Sequence, residues 1–445
     1  MIQKTACFLF LFCILQSAAF TQPFNKGKLD SFFVALNKHD QSMGSIAIAK
    51  NGMLVYQNAI GYSQVGNGLK TPATIGTKYR IGSISKMFTA TMIFQLIDEG
   101  KLSLQTPLGN YFPQISNAGK ITIGEMLGHR SGLHNFTADS LSYTTTPKSE
   151  AEMIAIFARQ KPDFEPDAKA VYSNTNFVLL GYIIERLTGK TYAEELRKRI
   201  TSKIGLADTY YGTKANPAKN ESYSYDYAIQ WTQVPEADLS IPAGAGAVVS
   251  TPADLVKFIN ALFAGKLISP ANLERMKTMK DNYGMAMFII PFYDKYGYGH
   301  SGEMDGFSSL LIYFPQEKVA IAYTSNGARY STFDVVKGAL SIYFNRPFTI
   351  PEFKGITLNA TDLNKYIGKY SSTQIPINIA ITEKNKTLYA QAAGPGTFPR
   401  AIPLEAKGAD KFTYSVYDIT LQFDTAKNSF SLIQGGTTNL FTKIE

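Results

Sequence analysis

The chain of 445 residues is poor in the residue types that support thiol, redox and metal chemistry. Its two cysteines, Cys7 and Cys13, lie close to the start, so the body of the sequence has no thiolate nucleophile and no disulfide. The four histidines, His39, His129, His134 and His300, show no His-Glu-x-x-His or comparable ligand spacing. That argues against a dedicated metal site and leaves cofactor-free chemistry as the expectation. A Gly-x-Ser-x-Gly elbow is also missing, and with it the signature of one large class of Ser-His-Asp hydrolases. No apolar run reaches the roughly 20 residues that a membrane helix needs, so stable membrane insertion is not expected. Lys and Arg are scattered rather than blocked, which gives no sign of nucleic acid and makes the net charge of +9 a matter of solubility.

What is present is packing material. Hydrophobic residues make up 45% of the chain and charged residues 18%, with 29 Phe and 26 Tyr, the composition of a folded globular protein. The length allows two or three units. Residues 1–21 carry Lys4, the apolar run Cys7 to Leu15 and the small residues Ser17, Ala18 and Ala19, which together read as a secretory signal peptide. Cleavage after Ala19 or Thr21 would leave a secreted or periplasmic protein. Phe12 before Cys13 speaks against lipid attachment.

Ser45 to Lys50, the Asn51-Gly52 turn and Met53 to Ile60 predict a hairpin, and Ser308 to Phe314 with Val319 to Thr324 predict a second strand pair. Helical periodicity lies between them, at Ser85 to Asp98, Glu150 to Arg159, Thr175 to Leu187 and Pro252 to Phe263. The fold class is therefore α/β (α+β): an antiparallel sheet built from both ends of a main domain over residues 22–345, flanked by helices, with a helical insertion. Residues 346–361, with Pro347 and Pro351, read as a linker. Short strand-like runs then recur over 362–445, predicting a small β-sandwich or barrel.

Ser83-Ile84-Ser85-Lys86 is the one Ser-x-x-Lys of the chain, and it opens an apolar helix. Residues three apart share a helix face, so Lys86 sits beside the Ser83 hydroxyl, and a partly neutral amine there can take the serine proton. Tyr-x-Asn occurs at Tyr56, Tyr172 and Tyr343. Tyr56 falls in the first hairpin and Tyr343 in an apolar stretch, both packing positions. Tyr172-Ser173-Asn174 follows a loop and leads into a helix, so Tyr172 is the candidate base. Gly299-His300-Ser301-Gly302 would place a basic residue, a hydroxyl and a glycine on an edge strand along the substrate. Arg130-Ser131-Gly132 is a competing triplet, but it precedes Tyr172 and reads as a loop.

In this order, Ser-x-x-Lys, Tyr-x-Asn and a basic-Ser-Gly triplet resemble class C β-lactamases, DD-carboxypeptidases and related esterases. Tyr79 to Lys86, Asp98 to Leu102, His129 to Leu133, Pro242-Ala243-Gly244 and Ser250 to Leu255 resemble further family segments, and the similarity covers about residues 28 to 345. The resemblance implies Ser83 as nucleophile, Lys86 and Tyr172 as the proton-transfer pair, and Asn174 as a donor to the substrate amide. It also implies an oxyanion hole from the N–H groups of Ser83 and Glu303, with His300, Ser301 and Gly302 flanking the substrate. Two departures stand out. His300 occupies the place of a lysine in β-lactamases of this class, and Asp167 the place of a glycine. The histidine, only partly charged at neutral pH, weakens an antibiotic-hydrolysing reading. A DD-peptidase, D-amino-acid peptidase or esterase is the leading expectation, with a class C-like β-lactamase or a slowly deacylating penicillin-binding sensor as alternatives. The partner expected is a small-molecule or peptide substrate, cell-wall peptides included; the sequence sets no oligomeric state.

Overall fold

The computed structural model describes residues 24–66, 68–139, 145–227, 230–353, 360–384, 386–394 and 401–445; the segment read as a signal peptide lies outside them. A six-stranded antiparallel sheet organises the main domain. Its strands are β1 (Ser42–Lys50), β2 (Met53–Ile60), β3 (Phe288–Phe292), β4 (Lys295–Met304), β5 (Phe307–Phe314) and β6 (Val319–Ala328), in the order β3-β4-β5-β6-β1-β2. The predicted hairpin and the predicted strand pair meet at its centre, where Ile46 opposes Tyr323 and Ala47 opposes Ala322.

Alternation along these strands sets the layers. Ile46, Ile48, Ile321 and Tyr323 face one side, where they pack on α1 (Lys26–Lys38) and on a C-terminal helix over Thr332–Tyr343. Ala47, Ala49, Ala320 and Ala322 face the other side and join the larger core. Alanine methyls occupy little depth, so the helix Pro252–Phe263 lies directly on β1, β5 and β6, and the other helices of this layer pack in the same core around it. Those helices are α2 (Ser85–Asp98), α3 (Glu150–Arg159), α4 (Asn174–Thr188) and α5 (Pro252–Phe263); the Thr332–Tyr343 helix is α6. Helix α2 is buried on every face inside the domain, with Met87, Phe88, Met92, Ile93 and Phe94 wholly buried and Lys86, Thr89 and Thr91 buried among them. Phe88 stacks on Phe258 of α5 at 3.9 Å between ring centroids.

The C-terminal unit is a closed eight-stranded barrel, resolving the sandwich-or-barrel expectation. Five of its strands are the predicted runs; Gly368–Ser371, Ile402–Gly408 and Thr437–Lys443 are additional. Tyr366, Phe412, Phe423, Phe430 and Phe441 fill its interior. The start of the predicted linker is not a loose tether, since Phe348, Ile350 and Phe353 pack against the α1/α6 side of the sheet.

The alanine face yields a direct test. Ala322→Leu should destabilise the protein by about 1–3 kcal/mol through overpacking against the helical layer, whereas Ile321→Val should cost about 0.5–1.5 kcal/mol. Urea midpoints measured on both variants check this, and an unchanged Ala322→Leu midpoint would contradict the close packing.

Candidate active site

Ser83 lies in a 3₁₀ turn, Gly82–Ile84, that runs directly into α2. One helical turn later, the Lys86 Nζ stands 2.9 Å from Ser83 Oγ, 2.7 Å from Asn174 Oδ1 and 2.8 Å from the Ala245 carbonyl. Lys86 is fully buried and every one of these acceptors is uncharged, so burial holds its pKa well below the ordinary lysine value. The ring of Tyr172 covers the amine at 5.0 Å and Phe177 approaches at 5.7 Å. The structure thus brings Ser83, Lys86, Tyr172 and Asn174 together.

Tyr172 is held from behind by His129, whose ring stacks on it at 4.4 Å. His129 Nδ1 accepts the Ser173 N–H, which fixes the neutral tautomer with hydrogen on Nε2. The Asn174 amide nitrogen, expected to face a substrate, bonds instead to Asn135 Oδ1 and Thr137 Oγ1. The residue pattern assigns no site role to Asn135, Thr137, His129 or the Ala245 carbonyl; the signals nearest to the last two are the family-like segments His129 to Leu133 and Pro242-Ala243-Gly244.

The His300-Ser301-Gly302-Glu303 segment runs along β4, and here two expectations need correction. Strand β4 is not the sheet edge, because β3 pairs with it; that pairing ends at Gly299, however, leaving residues 300–304 with an open side. His300 is not a basic residue either. It is buried beneath Phe288 and Tyr172, its Nδ1–H donates to the Ser301 carbonyl, and burial together with the nearby Lys86 pushes its pKa down to about 3.

Gly302 and Gly82 let the two backbones meet. A Cβ on Gly302 would lie 2.0 Å from the Ile81 carbonyl oxygen and 2.9 Å from Ser83 N, and one on Gly82 would lie 2.7 Å from Glu303 N. The peptide N–H groups of Ser83 and Glu303 therefore flank the same narrow space. Arg80 clamps both sides of it, pairing with Glu236 at 2.8 Å and with Asp305 at 3.1 Å. Asp167, in the place of a family glycine, adopts the left-handed conformation a glycine would favour (φ 64°) and ties its carboxylate to Arg130 and Lys280.

A family model described as Beta-lactamase matches residues 29–340. The chain belongs to the beta-lactamase family. Within that family it is a serine hydrolase similar to penicillin-binding protein 4* of Bacillus subtilis (strain 168), with 25% identity over 93% of this chain and 98% of the relative. It is also similar to the teichoic acid D-alanine hydrolase of Staphylococcus aureus (strain MRSA252), with 27% identity over 62% of this chain and 69% of the relative. Among solved structures, D-amino acid amidase from Ochrobactrum anthropi SV3 superposes with a TM-score of 0.62 at 27% identity, covering 71% of this chain and 99% of the amidase.

The two buried histidines of this β-lactamase-family site make a pH signature. His300 titrates near 6.5 when unfolded and near 3 when folded, so the unfolded chain binds more protons between those values. Unfolding free energy should fall as pH drops from about 6.5 toward 3, and His300→Gln should flatten that slope. Denaturant titrations across pH 4 to 8 measure it; an unchanged slope in the variant would refute a neutral His300.

Proposed function

We propose that the protein hydrolyses an amide or ester through a covalent acyl-enzyme at Ser83, on D-aminoacyl or peptide substrates rather than on β-lactams. The observation that carries this reading is the Lys86 amine, fully buried and 2.9 Å from the serine oxygen. A neutral amine has two N–H donors and one lone pair. Its donors suit Asn174 Oδ1 and the Ala245 carbonyl, which leaves the lone pair to take the Ser83 proton as Oγ attacks the substrate carbonyl. The developing oxyanion would lie between the N–H groups of Ser83 and Glu303. Proton transfer through Lys86 and Tyr172 would return that proton to the leaving nitrogen or oxygen, and water would then release the acid by the reverse sequence.

The lean away from β-lactams rests on the neutral state of His300, which cannot supply a cation to a substrate carboxylate. The names of two relatives, a teichoic acid D-alanine hydrolase and a D-amino acid amidase, fit substrates with a D-amino acid on the acyl side. Residues 1–21 support action outside the cytoplasm.

Mass spectrometry of the protein treated with a fluorophosphonate or a penicillin should find the adduct on Ser83, followed by turnover of D-alanyl amides and short-chain esters above nitrocefin. Ser83→Ala should abolish labelling. Lys86→Ala and Tyr172→Phe should each slow acylation by about 10²-fold or more. An adduct on another serine, or nitrocefin as the best substrate, would overturn the proposal. Because Lys86 must be neutral to act, acylation should rise with pH up to its lowered pKa and level off there.

A further inference from the structure

The cleft beside Ser83 is lined by Gly82, Asn174, Ile241, Pro242, Glu303 and Met304 among others. Among its described lining residues Glu303 is the one ionisable side chain, and no Lys, Arg or His joins it. Glu303 as a residue is exposed, while packing around its carboxyl raises the pKa above the ordinary value and the Tyr417 hydroxyl works against that rise. A substrate carboxylate bound here would meet a like charge with no cation to offset it, because Lys86 and His300 are both buried and held toward their neutral forms. An ammonium would gain a charge-assisted hydrogen bond.

Position narrows the ligand further. Glu303 follows Gly302, whose backbone abuts the Ser83 N–H, so its carboxylate starts one residue from the space proposed for the scissile carbonyl. An amino group on the carbon next to that carbonyl falls within a glutamate side chain's reach. From the other side, the C-terminal barrel brings Tyr417 to Glu303, with its hydroxyl donating to Oε2 across a long 3.4 Å. Arg329 at the end of β6 approaches Glu405 of the barrel at 3.9 Å, a second point of contact.

Building on the acyl-enzyme reading above, we infer that Glu303 recognises a free ammonium beside the scissile carbonyl, making the substrates aminoacyl amides or esters with an unblocked amine, and that Tyr417 of the barrel positions this carboxylate.

The experiment compares kcat/KM at pH 7, where an α-amino group is largely protonated, for D-alanine p-nitroanilide, its N-acetyl form and its N-succinyl form. The wild type should favour the free amine over the N-acetyl form by about tenfold or more, with the succinyl form poorest. Glu303→Gln keeps an oxygen that can accept from Tyr417 but loses the charge; it should reduce the free-to-acetylated ratio by about tenfold, mainly through KM. Glu303→Asp should retain most of the preference, and Tyr417→Phe should lower it by about twofold to threefold. Equal rates on free and acetylated substrates in the wild type, or a Glu303→Gln ratio equal to that of the wild type, would overturn the assignment. Fluorophosphonate labelling of Ser83 separates the two layers: a flat ratio with Ser83 labelled defeats the ammonium assignment alone, whereas absent labelling defeats the acyl-enzyme reading itself.

Discussion

A lysine amine buried from solvent and bonded to uncharged acceptors can keep its proton only at a cost of several kcal/mol, and the main domain is built so that Lys86, among the described residues, is in that state. The condition begins in α2, whose apolar residues Met87, Phe88, Met92, Ile93, Phe94 and Leu96 are all buried, so that other elements cover the helix on every face. The alanine side of the sheet leaves room for the helical layer, α4 contributes Phe177, and α5 contributes the Phe258 stack. Placing the lysine in the first turn of such a helix puts its amine in the driest part of the domain while the neighbouring serine stays half exposed. One helix thus sets both the desolvation of Lys86 and the accessibility of Ser83, the residues proposed as base and nucleophile.

The second constraint is backbone approach. Gly82 and Gly302 bring the nucleophile turn and β4 so close that a Cβ at either position would collide with main-chain atoms. Around this contact the polar groups are paired: Ser309 Oγ donates to the Ile81 carbonyl, Ser85 Oγ accepts the Val248 N–H, and Arg80 binds carboxylates from two sides. A buried Arg with two carboxylates is weak evidence for stability, because desolvation offsets much of its attraction. Its geometry here links the strand before Ser83 to the turn after Glu303, so its consequence is the relative position of the two N–H groups.

Much of this was legible in the residue pattern, and the parts that were not share a physical reason. Helix α2 and the first hairpin were readable because an apolar period of 3.6 residues and an Asn-Gly turn are local signals. Ser83 and Lys86 were readable because helix geometry fixes an i,i+3 pair. Three barrel strands escaped: Ile402–Gly408 contains Pro403, Thr437–Lys443 is mostly polar, and Gly368–Ser371 is four residues long. At the site, the residues missed act across the chain. Asn135 reaches Asn174, 39 positions away, and the Ala245 carbonyl reaches Lys86, 159 positions away, through a backbone atom that carries no residue identity. The charge of His300 was misjudged for the same reason, since its ordinary pKa is a local property and its burial under Phe288 and Tyr172 is not.

That histidine ties the chemistry to the specificity. A lysine at position 300 would set a second ammonium near Lys86 and offer a cation to substrate carboxylates. With a neutral imidazole there, the proton affinity of Lys86 is governed by burial, the one cause that lowers it, rather than by a neighbouring positive charge. The same substitution removes the means of attracting an anionic ligand, so the charge character of the cleft passes to the residue that follows the glycine, Glu303. Under the proposed chemistry, proton transfer at Ser83 needs a neutral Lys86, and Glu303, its pKa raised by burial, is the one ionisable side chain among the described residues lining the cleft. Under the proposed reading, Lys86 would serve as the base while Glu303 selects a cationic rather than an anionic ligand group.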